Sequence, residues 1–177
     1  MCGIAGYYGF PGGDSSPRRL LDRMIAMLRH RGPDGNGIHV GEGAGLAHAR
    51  LAIIDVASGA QPMANFAGDV HLSFNGEIFN YVELRTELIA RGARFRTESD
   101  TEVILAAYDA WGVDCVTKLN GDFAFALWDA PRRRFMLARD RMGVRPLFYA
   151  WHRGCLYFAS EAKALFVVPG LDRKSVV

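Results

Sequence analysis

A cysteine stands directly behind the initiator methionine, and the run Ile4-Ala5-Gly6-Tyr7-Tyr8-Gly9 follows it without a break. The run reads as a strand, so the chain opens with a thiol at a strand's head, and the glycines let other backbone segments come close to it. A small second residue such as Cys2 permits removal of Met1. The mature chain would then carry a thiol and a free α-amine on one residue. An unperturbed thiol has a pKa of about 8.5 and an α-amine one of about 7.7–8.0. Nucleophile and base would thus share a residue, the arrangement of N-terminal nucleophile catalysis. A retained Met1 would block the amine. Taken alone, Cys2 reads more simply as a small buried residue opening a strand.

The 177 residues suffice for one domain with a sizeable core, and half of them are hydrophobic. A net charge of +2 argues against a dedicated nucleic-acid partner, and Arg132-Arg133-Arg134 reads as an exposed turn. No apolar stretch approaches the roughly 20 residues of a membrane span, and the N-terminus lacks the pattern of a signal peptide. The three cysteines, Cys2, Cys115 and Cys155, are odd in number and widely spaced. They suggest neither a disulfide framework nor a zinc site and fit the cytoplasm, with Cys115 and Cys155 as small core residues.

Ser16 reads as the cap of a helix with Pro17 at its first position and Leu20, Leu21, Met24, Met27 and Leu28 on one face. His30 to Gly37 is a dense loop signal that can be pure connection or can border a site. Ile38–Val40 and Gly45–Ile54 read as strands. On the second, Arg50 shares a face with His48, opposite Leu51 and Ile53. A buried Arg50 needs an anion, either in a structural ion pair or as a carboxylate-binding fork. Val70–Phe74 is a short strand and Asn75-Gly76 reads as a tight turn. Because Asn80 and Glu83 then suggest a capped helix, the turn would lead from strand to helix. Such a turn could also aim an amide side chain and a backbone N–H at one point, as an oxyanion hole requires. Ala93–Thr97 is expected as a strand. Ser99 and Glu102 form a second capping box, with Asp100 in the first helical turn, where a carboxylate is stabilising in its own right. Val113–Leu119 follows as a short helical segment. Four strands, Phe123–Trp128, Phe135–Arg139, Leu147–Trp151 and Leu156–Ala159, complete the pattern before a helical turn near Ser160-Glu161.

Eight stretches in this order resemble class II glutamine amidotransferases, and most closely the glutaminase half of glutamine-hydrolysing asparagine synthetases. They are Met1-Cys2-Gly3-Ile4, Arg29-His30-Arg31-Gly32-Pro33-Asp34, Arg50-Leu51-Ala52-Ile53-Ile54-Asp55 and Phe74-Asn75-Gly76-Glu77-Ile78-Phe79-Asn80. Glu98-Ser99-Asp100-Thr101-Glu102-Val103, Gly121-Asp122-Phe123-Ala124-Phe125-Ala126, Ala138-Arg139-Asp140-Arg141-Met142-Gly143 and Ser160-Glu161-Ala162-Lys163-Ala164-Leu165 complete the set. The resemblance runs from Met1 to about Leu165.

It implies an α+β fold, the N-terminal nucleophile (Ntn) hydrolase sandwich with four layers, αββα, around two stacked antiparallel sheets. It also implies roles. Cys2 would be the nucleophile and its α-amine the base, with the Asn75 side chain and Gly76 N–H as oxyanion hole. Arg50 would pair with the α-carboxylate of L-glutamine and Asp100 with its α-ammonium. Leu51, Ala52, Ile53, Ile54 and Glu77 would complete the pocket. No metal or cofactor is expected in this domain, which would occupy residues 1–177. ATP and Mg²⁺ are expected only in a C-terminal synthetase domain. Nothing here resembles the pyrophosphatase loop of that domain, so the chain is expected to be an excised or truncated piece serving a synthetase in cis or in trans. Two alternatives remain, another ammonia acceptor (a sugar or peptide) or a non-catalytic interaction domain.

Overall fold

The protein is described by a computed structural model covering residues 1–9, 16–52, 59–172, 174 and 176–177. Its elements in order are β1 (Gly3–Tyr8), α1 (Pro17–Ala26), β2 (Gly35–Gly41), β3 (Ala44–Arg50), β4 (Met63–Ala64), β5 (Val70–Ile78), α2 (Tyr81–Ala90) and α3 (Asp100–Trp111). Then come β6 (Gly121–Asp129), β7 (Arg134–Arg139), β8 (Phe148–His152), β9 (Cys155–Ala159) and the short α4 (Ala162–Leu165), with 3₁₀ turns at Arg29–Arg31 and Gly112–Thr117. The strands form a five-stranded sheet, ordered β2-β3-β1-β9-β8, and a four-stranded sheet, ordered β4-β5-β6-β7. Each pairing is antiparallel.

The two-residue period of a strand sorts the side chains into layers. Ile4, Leu46, Ala124, Ala126, Trp128 and Phe158 pack between the sheets. Their neighbours Ala5, Tyr7, Ala47, Ala49 and Tyr157 turn outward onto Leu21, Met24 and Leu28 of the α1 region. On the far side, Leu72, Phe74, Phe125 and Leu127 pack against Leu84, Leu88, Ile104 and Tyr108 of α2 and α3. The result is the expected αββα order, with three apolar seams between four layers. A Cβ at Gly6 would lie 2.2 Å from the Gly45 carbonyl oxygen and 2.5 Å from the Phe158 ring, so β1 runs too close to its neighbours for a side chain there. Cys115 and Cys155 are buried core residues, and neither they nor Cys2 form a disulfide. No helix among the described residues is long and apolar enough to cross a membrane.

Several local expectations are corrected. Asn75-Gly76 is not a turn: β5 runs through it for nine residues, with Asn75 opposite Ala124 and Gly76 opposite Phe123. The long partner strand β6 overrides the local turn preference, and the chain bends into α2 only after Ile78. Ala93–Thr97 is not a strand, because the Arg96 and Thr97 N–H groups donate to the Glu102 carboxylate instead of to a neighbouring strand. Ser99 does cap α3 by accepting from Thr101 N–H at 3.2 Å, but Glu102, turned to Arg96 and Thr97, does not close the box. Asn80 stands at the head of α2 without capping it, since its side chain joins Lys118 and Asn120. Ser16 likewise makes no side-chain cap. The β3 strand stops at Arg50, short of the expected Ile54, whereas β2 begins three residues early, at Gly35.

Candidate active site

Cys2 is positioned from three sides at the open end of the inter-sheet layer. Ile4 N–H donates to Ser160 Oγ at 2.9 Å, and Ser160 N–H donates back to the Ile4 carbonyl at 2.8 Å. The Arg31 guanidinium donates through Nε to the Cys2 carbonyl at 2.9 Å and through Nη1 to Glu161 Oε1 at 3.0 Å. Burial opposes ionisation of Glu161. Hydrogen bonds from Lys163, Arg31 and His30 outweigh it and hold that carboxyl at about 2. The anion under Arg31 therefore persists across the physiological range. The thiol itself accepts from Leu51 N–H, 3.4 Å from Sγ.

The edge of β5 supplies the facing donors. Phe74 N–H donates to Gln61 Oε1 at 2.7 Å and Ile78 N–H to Asp100 Oδ2 at 3.1 Å, whereas Phe79 N–H donates to the Asn120 carbonyl next to β6. Alternate residues of an antiparallel strand direct their N–H groups to opposite sides. Gly76, midway between Phe74 and Ile78, thus aims its N–H away from β6. A Cβ at Gly76 would meet the Asp122 carbonyl oxygen at 2.2 Å and Phe123 Cα at 2.7 Å, so only glycine fits this close crossing. The intervening side chains face the other sheet: Ser73 Oγ donates to the Ala47 carbonyl, and Asn75 is 1% exposed. Asn75 Nδ2 is buried and has no hydrogen-bond partner among the described residues. A buried amide donor left in this condition carries an energetic cost that an incoming acceptor would relieve.

Cys2, Arg50, Leu51, Asn75, Gly76, Glu77 and Asp100 line one cavity, joined by Met1, Gln61 and Arg145. Ala52 is not in its wall; its N–H is held by Asp34 Oδ2 at 2.8 Å, which fixes the course of the chain after Arg50. Ile53 and Ile54 lie outside the described residues. A roomier groove of about 410 Å³ beside α2 and α3 contains none of these groups. The cavity wall therefore brings together a thiol, an amide side chain, the backbone of an edge-strand glycine, a guanidinium and a carboxylate.

Residues 1–176 match the family of glutamine amidotransferase domains. The chain belongs to that family. This amidotransferase domain is 43% identical over 176 residues to asparagine synthetase [glutamine-hydrolyzing] 3 of Bacillus subtilis, covering 98% of this chain and 29% of that protein. It is 42% identical to asparagine synthetase B [glutamine-hydrolyzing] of Escherichia coli, covering 95% of this chain and 30% of that one. The domain thus spans under a third of the length of these relatives. In fold it is similar to glutamine phosphoribosylpyrophosphate amidotransferase of B. subtilis, with a TM-score of 0.75 at 24% identity, covering 94% of this chain and 43% of that one. A second structure, the allosteric regulatory enzyme of purine biosynthesis, gives 0.77 at 23% identity over the same shares. These likenesses and the layer order establish the Ntn-hydrolase sandwich.

Electrostatics distinguish two of the buried titratable groups near the cavity, Asp100 and His48. Burial pushes the Asp100 carboxyl up to about 6, against hydrogen bonds from Ile78 and Thr101 N–H that favour the anion, and the Glu77 charge adds to the rise. Burial, with the Arg50 charge added and the Phe74 hydrogen bond opposing, holds His48 down at about 4. His48 is therefore neutral at pH 7, and its Nε2, 3.0 Å from the Phe74 carbonyl, must carry the proton. A carboxyl raised above its unfolded value of 3.8 makes the folded state the tighter proton binder. Stability should then fall as pH rises from about 4 to about 6 and level off above. Asp100→Asn is expected to stabilise the free domain by up to about 2–3 kcal/mol at pH 8 and hardly at all at pH 4. Denaturant unfolding at the two pH values is the measurement.

The sequence reading missed the supports of this amidotransferase site. Arg31, Ser160 and Glu161 lie inside stretches that carried the resemblance, but nothing in their spacing tied them to Cys2, from which Glu161 is separated by almost the whole chain. Gln61 gave no signal beyond a loop.

Proposed function

We propose that the domain hydrolyses the side-chain amide of L-glutamine to L-glutamate and ammonia, and that the ammonia serves an ATP-dependent synthetase domain, in cis or in trans, that makes asparagine from aspartate. One observation carries the reading: Cys2, Asn75 and Gly76 line one cavity together with Arg50 and Asp100, whose charges match the two ends of an amino acid. Removal of Met1 would free the Cys2 amine. That amine takes the thiol proton, the thiolate forms a bond to the amide carbon, and the carbonyl electron pair moves onto oxygen, where Asn75 Nδ2 and Gly76 N–H receive it. The intermediate collapses with cleavage of the C–N bond, and the amine's proton leaves with ammonia. Water then adds to the thioester, the C–S bond breaks, and glutamate and the free thiol result. Arg50 offers a planar fork to the α-carboxylate and Asp100 an anion to the α-ammonium, while Leu51 and Glu77 border the substrate. Ala52, Ile53 and Ile54 are proposed to contribute to glutamine binding as well.

The asparagine product is supported by the relatives, which are glutamine-hydrolysing asparagine synthetases and of whose length this domain matches under a third. ATP and magnesium are proposed for the synthetase domain, and the reduced cysteines support a cytoplasmic setting. Production of equal amounts of glutamate and ammonia from glutamine by Met1-processed protein is the direct test.

Substrate pairing makes a pH prediction as well. An ammonium beside Asp100 favours its ionised form, so glutamine binding should weaken as pH falls through about 6. Asp100→Asn should raise the KM about 10- to 100-fold at pH 8, the worth of a charged hydrogen bond, and flatten this dependence. Arg50→Lys keeps the charge but loses the fork, and should raise KM without changing the pH profile. Unchanged glutamine dependence in both variants would remove the two residues from the substrate site.

A further inference from the structure

The backbone unit just before Asn75 is gripped by two side chains from outside its own sheet ladder. The β4 strand pairs with β5 at Met63–Leu72 and Ala64–His71, so beyond Leu72 that edge of β5 has no neighbouring strand among the described residues. Phe74 directs both its N–H and its C=O to that bare edge. Gln61 Oε1 accepts the N–H at 2.7 Å, and His48 Nε2 donates to the C=O at 3.0 Å. The other end of the same Gln61 amide donates through Nε2 to Thr101 Oγ1 at 3.2 Å, one residue beyond Asp100. One amide therefore takes up an edge N–H of β5 and bridges that strand to the start of α3.

We propose that Gln61 is a positioning residue for the oxyanion hole, setting Asn75 and Gly76 against Cys2 and fixing their separation from Asp100. It acts through Phe74, not on glutamine, and its effect on turnover rests on the function proposed above. Three features favour this over ordinary loop anchoring. The two bonds use both ends of one planar group, so shifting one partner moves the other. Phe74 is fixed again on its carbonyl side by a neutral, fully buried histidine, so the peptide planes on both sides of Phe74 are held, including the one that leads into Asn75. Finally, Gly76 N–H emerges from the same edge two residues on, and a tilt of the strand there redirects it. A misplacement of about 1 Å at a reacting centre can cost on the order of 10²-fold in rate.

The test uses Gln61→Met, which keeps the length of the side chain and removes both bonds, and Thr101→Val, a near-isosteric change that releases only the α3 end. Two readouts are followed: hydrogen exchange at the Phe74 amide, and kcat and KM for glutamine with and without a second change, Asn75→Ala. Faster Phe74 exchange in Gln61→Met is expected, with kcat lowered about 10²-fold and KM altered less. Thr101→Val should shift both in the same direction by less. In the Asn75→Ala background Gln61→Met should cost less than in the wild type, because one of the two donors it positions is already gone and only Gly76 is left to misplace. An unchanged Phe74 exchange rate and kcat would overturn the proposal. So would the same fold-loss with and without Asn75, which would mean that Gln61 acts elsewhere. Should the wild-type domain prove unable to hydrolyse glutamine, the functional reading would fall, while Phe74 exchange would still decide whether Gln61 holds that peptide. If Gln61→Met fails to fold, Thr101→Val carries the same comparison.

Discussion

Cys2→Ala should abolish glutamine hydrolysis, by at least about 10⁴-fold, and leave the fold standing. The size follows from what is removed: no other thiol lines the cavity, and loss of a nucleophile that acts as a unit with its base removes most of the rate acceleration. The fold should survive because the thiol makes only a weak contact with Leu51, at 3.4 Å, while the backbone around it is pinned by Arg31 and Ser160. Alanine is also small enough to permit loss of Met1, so the variant keeps a free α-amine and isolates the thiol. The amine has its own test. Where Met1 is retained, its Sδ accepts a hydrogen bond from Arg145 Nη1 at 2.6 Å and the residue forms part of the cavity wall. Protein shown by mass spectrometry to keep Met1 should therefore be inactive twice over, with its base acylated and its cavity narrowed. Full turnover from that form would overturn the α-amine mechanism. Normal turnover from Cys2→Ala would remove Cys2 from the chemistry altogether.

Strands that form nearly continuous apolar runs were legible from the chain, as β1, β6, β7 and β9 illustrate, because alternate residues of each enter two different apolar seams. The placing of Arg50 with His48 follows from the same period and holds in the structure. Asn75-Gly76 was misread because its local turn preference is real, but the nine-residue pairing with β6 outweighs it; no local window contains that partner. Ala93–Thr97 failed for a related reason, since Glu102 satisfies its N–H groups in place of a strand. Asp100 shows the opposite case. Its first-turn position, visible from the Ser99 cap, suggested a stabilising acid at a helix N-terminus, yet its burial makes the charge a burden until a cation arrives. The bonds that support the site, Gln61 to Phe74, Arg31 to Cys2 and Ser160 to Ile4, join positions far apart in sequence through single polar atoms, and such pairings leave no periodic trace.

The second large effect is expected at Asn75, and the structure changes how it must be tested. A turn residue could be exchanged for aspartate at little cost, because aspartate suits turns. Asn75 instead lies in mid-strand and is 1% exposed, with Nδ2 buried in a residue that helps line the cavity. Removing the amide should do little harm to stability, since Nδ2 has no hydrogen bond among the described residues to lose. Asn75→Ala is therefore the clean deletion, and should lower kcat by about 10²–10³, the usual cost of one oxyanion donor. KM should change less, because the ground-state amide oxygen carries little of the charge that the intermediate develops. Asn75→Asp should be at least as slow, as its carboxylate cannot donate when ionised and repels the developing oxyanion. It should also be less stable. A carboxyl buried there would have its pKa raised, so the folded state would bind its proton more tightly than the unfolded chain and stability would drop as pH rises. Thermal unfolding of Asn75→Asp at pH 5 and pH 8, set beside Asn75→Ala, reads that difference directly. A folded Asn75→Ala protein with near-normal kcat would overturn the oxyanion role. A low kcat in Asn75→Ala with an unchanged melting temperature is the result that a donor free in the resting protein and engaged only by the intermediate must give.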